Sequence, residues 1–156
     1  IVDHHYKGFD KIIEKYKIEK IKTMGDAYMC VSGLPRFNED HASNAIKAAL
    51  EILEFVNDYN KKRELQNLPY CQIRIGLHTG PVVAGVVGLY KFAYDIWGDS
   101  VNTASRMQSV GEPGKINISA TTYDLVKNQF ECTHRGKIKV KYKDELDMYF
   151  VENYKN

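Results

Sequence analysis

One segment of the sequence combines an amide and a guanidinium at helical spacing. Asn102 and Arg106 lie four residues apart, which places them on one face of a helix. An amide and a guanidinium in that arrangement can hold a sugar or ring oxygen together with a phosphoryl oxygen. Asp95 precedes them, and we place it at the end of a strand. A solvent-facing polar helix surface has the same spacing, so both interpretations stay open on this pattern alone.

A second candidate is the Gly25-Asp26 pair between two strand-like runs. A carboxylate on an exposed turn can bind a hard divalent cation. Gly-Asp pairs more often serve only to form the turn, because both residues tolerate its backbone angles. Lys22 lies four residues before Asp26 in the first run, where it shares a strand face with Lys20. A lysine on a strand is ordinarily a solvated charge.

Near the C-terminus, every second residue is cationic, in the order Arg135, Lys137, Lys139, Lys141 and Lys143. Side chains alternate between the two faces of a strand, so this pattern predicts one basic face. Five like charges on one face require either solvent or an anion. Solvent is the simpler explanation, since edge strands carry lysines against aggregation.

Four segments together resemble the hallmark segments of the class III adenylyl and guanylyl cyclase catalytic domains, in the same order: 20–29, 74–80, 86–88 and 94–107. The resemblance covers nearly the whole chain. It implies a palm-like, ferredoxin-like core and head-to-tail homodimers with active sites at the dimer interface. It also implies that the ribose 3′-hydroxyl of ATP attacks the α-phosphate, with pyrophosphate as the leaving group and two divalent metal ions, Mg²⁺ or Mn²⁺, as cofactors.

The resemblance implies a role for each candidate residue. Asp26 corresponds to one of the two metal-binding aspartates. Asn102 corresponds to the residue that orients the ribose, and Arg106 to the residue that stabilises charge on the α-phosphate. Lys141 corresponds to the lysine that binds the β- and γ-phosphates, which would give the basic strand an anion.

The resemblance makes Lys22 and Asp95 the pair that selects the purine. Adenine presents an amino donor at C6 and an acceptor at N1, which suit a carboxylate and an ammonium group respectively, and guanine reverses both. Guanylyl cyclases of this family typically carry Glu and Cys, or a similar pair, at these positions. We therefore predict an adenylyl cyclase that makes cyclic AMP. The alternatives are a guanylyl cyclase and a catalytically silent cyclase-homology domain that serves as a dimer partner or binds nucleotide.

The sequence departs from the family pattern at two places. The family's first metal-binding aspartate lies in an Asp-Ile-x-Gly-Phe-Thr segment upstream of the hairpin, which this sequence does not contain, and Asp3 is too close to Asp26 to replace it. We expect the chain to lack the family's first strand and, by itself, to bind metals poorly and to show little or no activity. Where the family usually has Lys-Gly-Lys-Gly, residues 141–144 are Lys-Tyr-Lys-Asp, which alters the loop around Lys141.

Hydrophobic spacing predicts the elements that position these residues. The predicted helices span 3–16, 40–63, 101–107 and a segment from about 119 or 121 to 128, and the predicted strands span 18–23, 27–31, 73–77, 82–88, 116–118, 130–140 and 147–152. We predict that the first two strands form one hairpin and the next two a second. The element order predicts one α+β domain over residues 1–156, a mostly antiparallel sheet with helices on one side.

Composition excludes several classes of protein. The 156 residues suffice for one domain, and 22 Lys and Arg against 20 Asp and Glu leave a net charge of +2, too small for general binding to nucleic acid. No apolar run is long enough to span a bilayer. The three cysteines are widely spaced and lie in strand-like runs, so we predict buried free thiols in a reducing compartment, the cytoplasm.

Overall fold

Four helices and eight strands make up the fold in the computed structural model, which describes residues 1–142 and 144–156. In chain order they are α1 (Val2–Lys15), β1 (Glu19–Met24), β2 (Ala27–Val31), α2 (His41–Leu65), β3 (Ile75–Leu77), β4 (Val83–Val87), β5 (Ala93–Trp97), α3 (Asp99–Ser109), β6 (Ile116–Ser119), α4 (Ala120–Val126), β7 (Phe130–Lys139) and β8 (Glu145–Tyr154). The predicted helices are all present, and each of their ends lies within about two residues of the prediction.

The strands form a β1-β2 hairpin, a central sheet in the order β3-β6-β8-β7, and a β4-β5 hairpin. Every pairing in the described chain is antiparallel except that of β3 with β6. The predicted α+β class and mostly antiparallel sheet are therefore confirmed. The predicted hairpin of β3 with β4 is wrong, because β4 pairs with β5. The segment after β3 leaves the sheet, and there Thr79 forms a 2.8 Å hydrogen bond with Thr122 of α4.

Helices cover both faces of the central sheet. Ile116 and Ile118 of β6 are fully buried in a core cluster with residues of α2 and α4. Asn117 lies between them and therefore faces the other side, where its Nδ2 donates to the carbonyl of Met107 in α3 at 2.9 Å. The predicted arrangement with helices on one side is thus wrong, because β6 is buried on both faces.

The β1-β2 hairpin is held against the two long helices by a small apolar cluster. Ile13 of α1, Ala48 of α2 and Ile18 are buried together, and Tyr28 of β2 packs against them. The hydroxyl of Tyr28 also donates to Oδ1 of Asp10 on α1 at 2.6 Å. This packing fixes the direction in which the hairpin leaves the body of the domain.

The three cysteines are free thiols, but their burial differs from the prediction. Cys30 and Cys71 are exposed, and Cys132 is partly buried. Cys30 lies in a two-stranded sheet, and Cys71 lies in the connection between α2 and β3 rather than in a strand. Over the part of the chain that the structure describes, no helix has the length and apolar character needed to cross a membrane.

Candidate functional site

Asp26 lies at the tip of the β1-β2 hairpin. Met24 and Ala27 form the last strand pair, so Gly25 and Asp26 make a two-residue turn. Gly25 has a φ of +62°, the left-handed conformation that a type II′ turn needs at its first position and that glycine adopts without strain. Tyr6 of α1 donates a 2.9 Å hydrogen bond to the Gly25 carbonyl, which ties the tip to the helix. Asp26 itself is exposed.

Lys22 and Asp95 form an ion pair although 73 residues separate them. The Lys22 Nζ lies 3.0 Å from Oδ2 of Asp95, and the side chains are 43% and 13% exposed. The other oxygen, Oδ1, accepts from the backbone N–H of Ile96 at 2.8 Å. The Lys22 hydrogen bond, and next the Ile96 N–H, lower the pKa of Asp95, so the carboxylate stays ionised. Asp95 is the third of five residues in β5 rather than at its end, which corrects the prediction.

A β-bulge in β1 directs Lys22 toward Asp95. Lys20 pairs with Cys30 and Lys22 with Met29, so one extra residue lies between the two lysines. Because Cys30 and Met29 are adjacent and face opposite sides, the two lysines also face opposite sides, and the predicted shared face is wrong. The bulge separates two ion pairs: Lys20 reaches Asp10 of α1 at 3.0 Å, whereas Lys22 reaches β5.

The β5-α3 connection places Asp95 close in the chain to Asn102 and Arg106. β5 ends at Trp97 and α3 begins at Asp99, so Gly98 alone makes the turn, with a φ of +126° that favours glycine. Asn102 is exposed and Arg106 is half-buried on α3. Their predicted helical spacing is confirmed, and both extend from a helix that begins two residues after β5 ends.

Arg106 lies beside Lys141, which follows the end of β7. The Arg106 Nε donates to the backbone carbonyl of Lys141 at 3.3 Å. The ring of Tyr142 lies near both cations, 5.7 Å from Cζ of Arg106 and 5.0 Å from Nζ of Lys141. Tyr142 takes a positive φ of +62°. The cyclase domains that the sequence resembles usually have glycine at this position. The structure therefore brings two predicted phosphate-binding cations together. Lys143 lies outside the described residues.

The predicted basic face of β7 does not form. A register shift between His134 and Gly136 makes Arg135 an extra residue on its strand, and its guanidinium donates to Oδ1 of the buried Asn117 at 3.0 Å. Arg135 therefore points into the protein and away from Lys137. The physical reason is again a bulge, which reverses the alternation of side chains on either side of it.

Lys137 and Lys139 share one face of β7, but Arg135 does not lie on it. Lys137 lies opposite Asp147 and Lys139 opposite Glu145 in the β7-β8 ladder, so each has a carboxylate as its cross-strand neighbour. Lys141 lies beyond the last residue of β7. Among the members of the predicted basic set that the structure describes, Lys141 therefore lies beside Arg106.

The described residues do not by themselves form a two-metal site. Over residues 1–142 and 144–156, no group of three or more His, Cys, Asp or Glu side chains could hold a metal ion. Asp26 offers a single exposed carboxylate, whereas Mg²⁺ takes about six oxygen ligands. Within the described chain, no hydrogen bond or ion pair joins Asp26 to Asn102, Arg106 or Lys141. Asp26 is thus a possible ligand and not a complete site.

Two residues that hold α3 in place are absent from the predictions. Asn117 binds the Met107 carbonyl, and Gly76 of β3 lies directly against the backbone of α3. The signals in the sequence are slight: an amide between two isoleucines, and a glycine inside an alternating apolar strand, which can mark a close backbone approach.

Comparison with known proteins gives one family. The family described as "Adenylate and Guanylate cyclase catalytic domain" matches residues 1–153. The chain is 40% identical over 155 residues to receptor-type guanylate cyclase gcy-28 of Caenorhabditis elegans, a match that covers 97% of this chain and 12% of that protein. It is also 40% identical over 150 residues to an adenylate cyclase of Mycobacterium tuberculosis, covering 96% of this chain and 33% of that protein.

A solved structure with the same fold has a nucleotide bound. The guanylate cyclase domain of RhGC from Catenaria anguillulae, in complex with GTP, aligns with a TM-score of 0.89 and 37% identity, over 98% of this chain and 82% of that one. Both purine specificities thus occur among the relatives. The chain spans a third or less of the length of each of these two curated relatives.

Proposed function

Because the chain belongs to the family of adenylate and guanylate cyclase catalytic domains, we propose that it is the catalytic domain of an adenylate cyclase, which converts ATP to 3′,5′-cyclic AMP and pyrophosphate. The observation that carries the choice of ATP is the ion pair of Lys22 with Asp95. The ammonium group only donates hydrogen bonds and the carboxylate only accepts them. Adenine N1 and the C6 amino group match that pair, whereas guanine would set acceptor against acceptor and donor against donor.

The other side chains supply charge and position. In the proposed reaction the ribose 3′-oxygen forms a bond to the α-phosphorus while the bond to the pyrophosphate oxygen breaks; the bonding electron pair leaves with pyrophosphate, and the hydroxyl proton passes to water. Arg106 neutralises charge that builds on the α-phosphate, and Asn102 orients the ribose. Lys141, held beside Arg106, binds the β- and γ-phosphates of the leaving group. The Mg²⁺ or Mn²⁺ pair stays a prediction from the resemblance, since Asp26 is a single carboxylate.

We place this reaction in a head-to-tail homodimer. The β4-β5 hairpin with its connecting residues 88–92, here called the arm, carries exposed apolar side chains that include Leu89, Tyr90 and Phe92, at 87%, 98% and 75% exposure. Contiguous exposed apolar residues of this size mark interaction surfaces. Among the described residues, no hydrogen bond or ion pair joins Asp26 to Asn102 or Arg106, and in the proposed dimer a second copy would let metal-binding and phosphate-binding groups meet across the interface. We also place the domain in the cytoplasm, where free thiols stay reduced.

The arm gives the first testable prediction. Leu89→Asp combined with Tyr90→Asp places charges on the proposed apolar interface, so we expect the dimer dissociation constant to rise at least about tenfold. Analytical ultracentrifugation over a concentration series measures it. Leu65→Asp is the matched control, because Leu65 is equally exposed at 86% but lies at the end of α2. Equal association of wild type and both variants would exclude the arm as the interface.

The function itself is tested by product analysis. The whole protein that carries this chain is incubated separately with ATP and with GTP in Mn²⁺, and cyclic nucleotides are identified by mass spectrometry. We expect cyclic AMP at the higher kcat/KM. Preference for GTP would make the domain a guanylate cyclase, and no product from either nucleotide would leave the silent dimer partner as the function.

A further inference from the structure

The C-terminal end of α3 is held by two side chains of the central sheet and by Arg74, which directly precedes β3. The last carbonyls of a helix have no partner inside it, and cations near that end are favoured by the helix dipole. Three of these carbonyls each accept a hydrogen bond from one side chain: Met107 from Asn117 at 2.9 Å, Ser109 from Arg74 at 3.4 Å, and Val110 from Arg135 at 3.1 Å. Helix α3 is therefore fixed at the end opposite the β5 connection.

Asn117 links two of these contacts. Its side chain is fully buried, so both halves of the amide need partners inside the protein. Nδ2 donates to the Met107 carbonyl, and Oδ1 accepts from Nη1 of Arg135 at 3.0 Å. Losing Arg135 would leave the buried Oδ1 without this donor.

Arg135 is aimed at this position by its bulge. As the extra residue of β7, it points inward, and its guanidinium lies 4.2 Å from the ring centroid of Phe150 on β8. A cation at this distance from a ring face is attracted to it, and from there Nη1 donates to both Oδ1 of Asn117 and the Val110 carbonyl. Bulges of this kind often direct a side chain next to an active site.

We propose that Arg135 is a positioning residue for cyclisation, which acts by clamping α3 and thereby setting the place of Arg106. Arg106 directly precedes Met107, whose carbonyl Asn117 holds, and its own carbonyl accepts from the Val110 N–H at 3.0 Å. Movement of this turn would move the Arg106 guanidinium relative to Lys141. The inference rests on the proposed function, because it assigns Arg106 a role in the reaction.

The experiment uses Arg135→Met in the whole protein, which keeps an unbranched side chain over Phe150 but removes the donors. We expect kcat to fall about 10- to 100-fold, because misplacement of a catalytic group by about 1 Å has an effect of that size. The ATP KM and the ATP-to-GTP preference should not change, since Lys22 and Asp95 lie on other elements. Arg135→Lys should recover part of kcat. Lys137→Met, two residues along the same strand, should leave kcat unchanged.

A double-substitution cycle separates positioning from general destabilisation. In an Arg106→Ala background, Arg135→Met should cause no further fall in kcat, because the group it positions is gone. An equal further loss in that background would show that Arg135 acts independently of Arg106 and would overturn the proposal.

Two measurements decide the clamp even if the wild type makes no cyclic nucleotide, a result that would refute the proposed function by itself. In Arg135→Met, amide hydrogen exchange should accelerate in α3 and stay the same in α2. The NMR signal of the Arg106 Nε–H group should shift or broaden, because its hydrogen bond to the Lys141 carbonyl is disturbed. Unchanged exchange in α3 together with an unchanged Arg106 signal would overturn the clamp.

Discussion

Lys22→Glu combined with Asp95→Cys should reverse the purine preference, changing the ratio of kcat/KM for ATP to that for GTP by about 10²- to 10⁴-fold. The wild-type pair places a donor and an acceptor 3.0 Å apart at one point between β1 and β5. After the exchange, a carboxylate faces the guanine N1–H, and a thiol, which can donate, faces the guanine oxygen. Adenine then meets the wrong partner at both positions, which leaves polar groups unpaired in the site.

The single substitutions should behave differently from the pair. Lys22→Glu alone sets two carboxylates against each other, and Asp95→Cys alone leaves an unpaired ammonium, so each should reduce kcat/KM with both nucleotides. Lys20→Glu with Asp10→Cys is the matched control. That pair is also joined at 3.0 Å, but it lies on the opposite face of β1. Steady-state kinetics with both nucleotides measure the effect, and an active Lys22→Glu, Asp95→Cys variant with the wild-type ratio would contradict the purine assignment.

The sequence predicted the parts of this fold that depend on local pattern. The helix predicted at 3–16 is α1 at Val2–Lys15, and the one predicted at 40–63 is α2 at His41–Leu65. The first hairpin and its Gly25-Asp26 turn are confirmed, because a period-two pattern and a glycine at the turn specify both within a few residues. Such features need no information about distant segments.

The features that sequence pattern did not predict depend on strand partners. The three residues of β3 alternate as a hairpin strand would, yet they pair in parallel with β6, which follows some 40 residues later. The bulges in β1 and β7 cannot be seen in the sequence either. A bulge changes which residues of the two strands pair, but it does not change the spacing of the lysines along the chain. What changes is the face, and that depends on the neighbouring strand.

In the candidate site too, the sequence identified some residues and missed the packing of others. The contact of Lys22 with Asp95 and that of Arg106 with Lys141 join residues that the resemblance had assigned to one nucleotide. Their roles in catalysis stay predictions. Arg135 was predicted on a solvated or anion-binding face, whereas it is an inward-facing residue behind α3. Resemblance to a family identifies residues expected to contact the substrate. Residues that position those side chains, such as Arg135, are identified only from the packing in the structure.

Gly76→Ala should destabilise the domain by about 3 kcal/mol, near the upper end of the usual cost of overpacking a core. Gly76 is the middle residue of β3 and lies against the backbone of α3. A Cβ at this position would overlap the backbone nitrogen of Gln108 and lie 2.5 Å from the carbonyl carbon of Met107. Backbone atoms on a helix cannot move aside individually, so the whole turn must shift.

The displacement of the α3 turn in Gly76→Ala should lower activity as well as stability. Moving this turn away from β3 stretches the Asn117 hydrogen bond to Met107 and displaces Arg106, the residue before it. We therefore expect kcat to fall along with stability, while the ATP-to-GTP preference, set by Lys22 and Asp95, should persist. Urea unfolding followed by circular dichroism measures the free energy, and the product assay measures kcat.

Gly85→Ala provides the comparison that isolates backbone crowding from the general effect of adding a methyl group. Gly85 also lies inside a strand, β4, and its φ is not in the left-handed region that favours glycine. A Cβ there would meet only the Trp97 ring, at 3.6 Å. Its free energy of unfolding should change by less than about 1 kcal/mol, and in the stabilising direction, because alanine restricts the unfolded chain. If Gly76→Ala proved as stable as Gly85→Ala, α3 would not be held against β3 as closely as the structure places it.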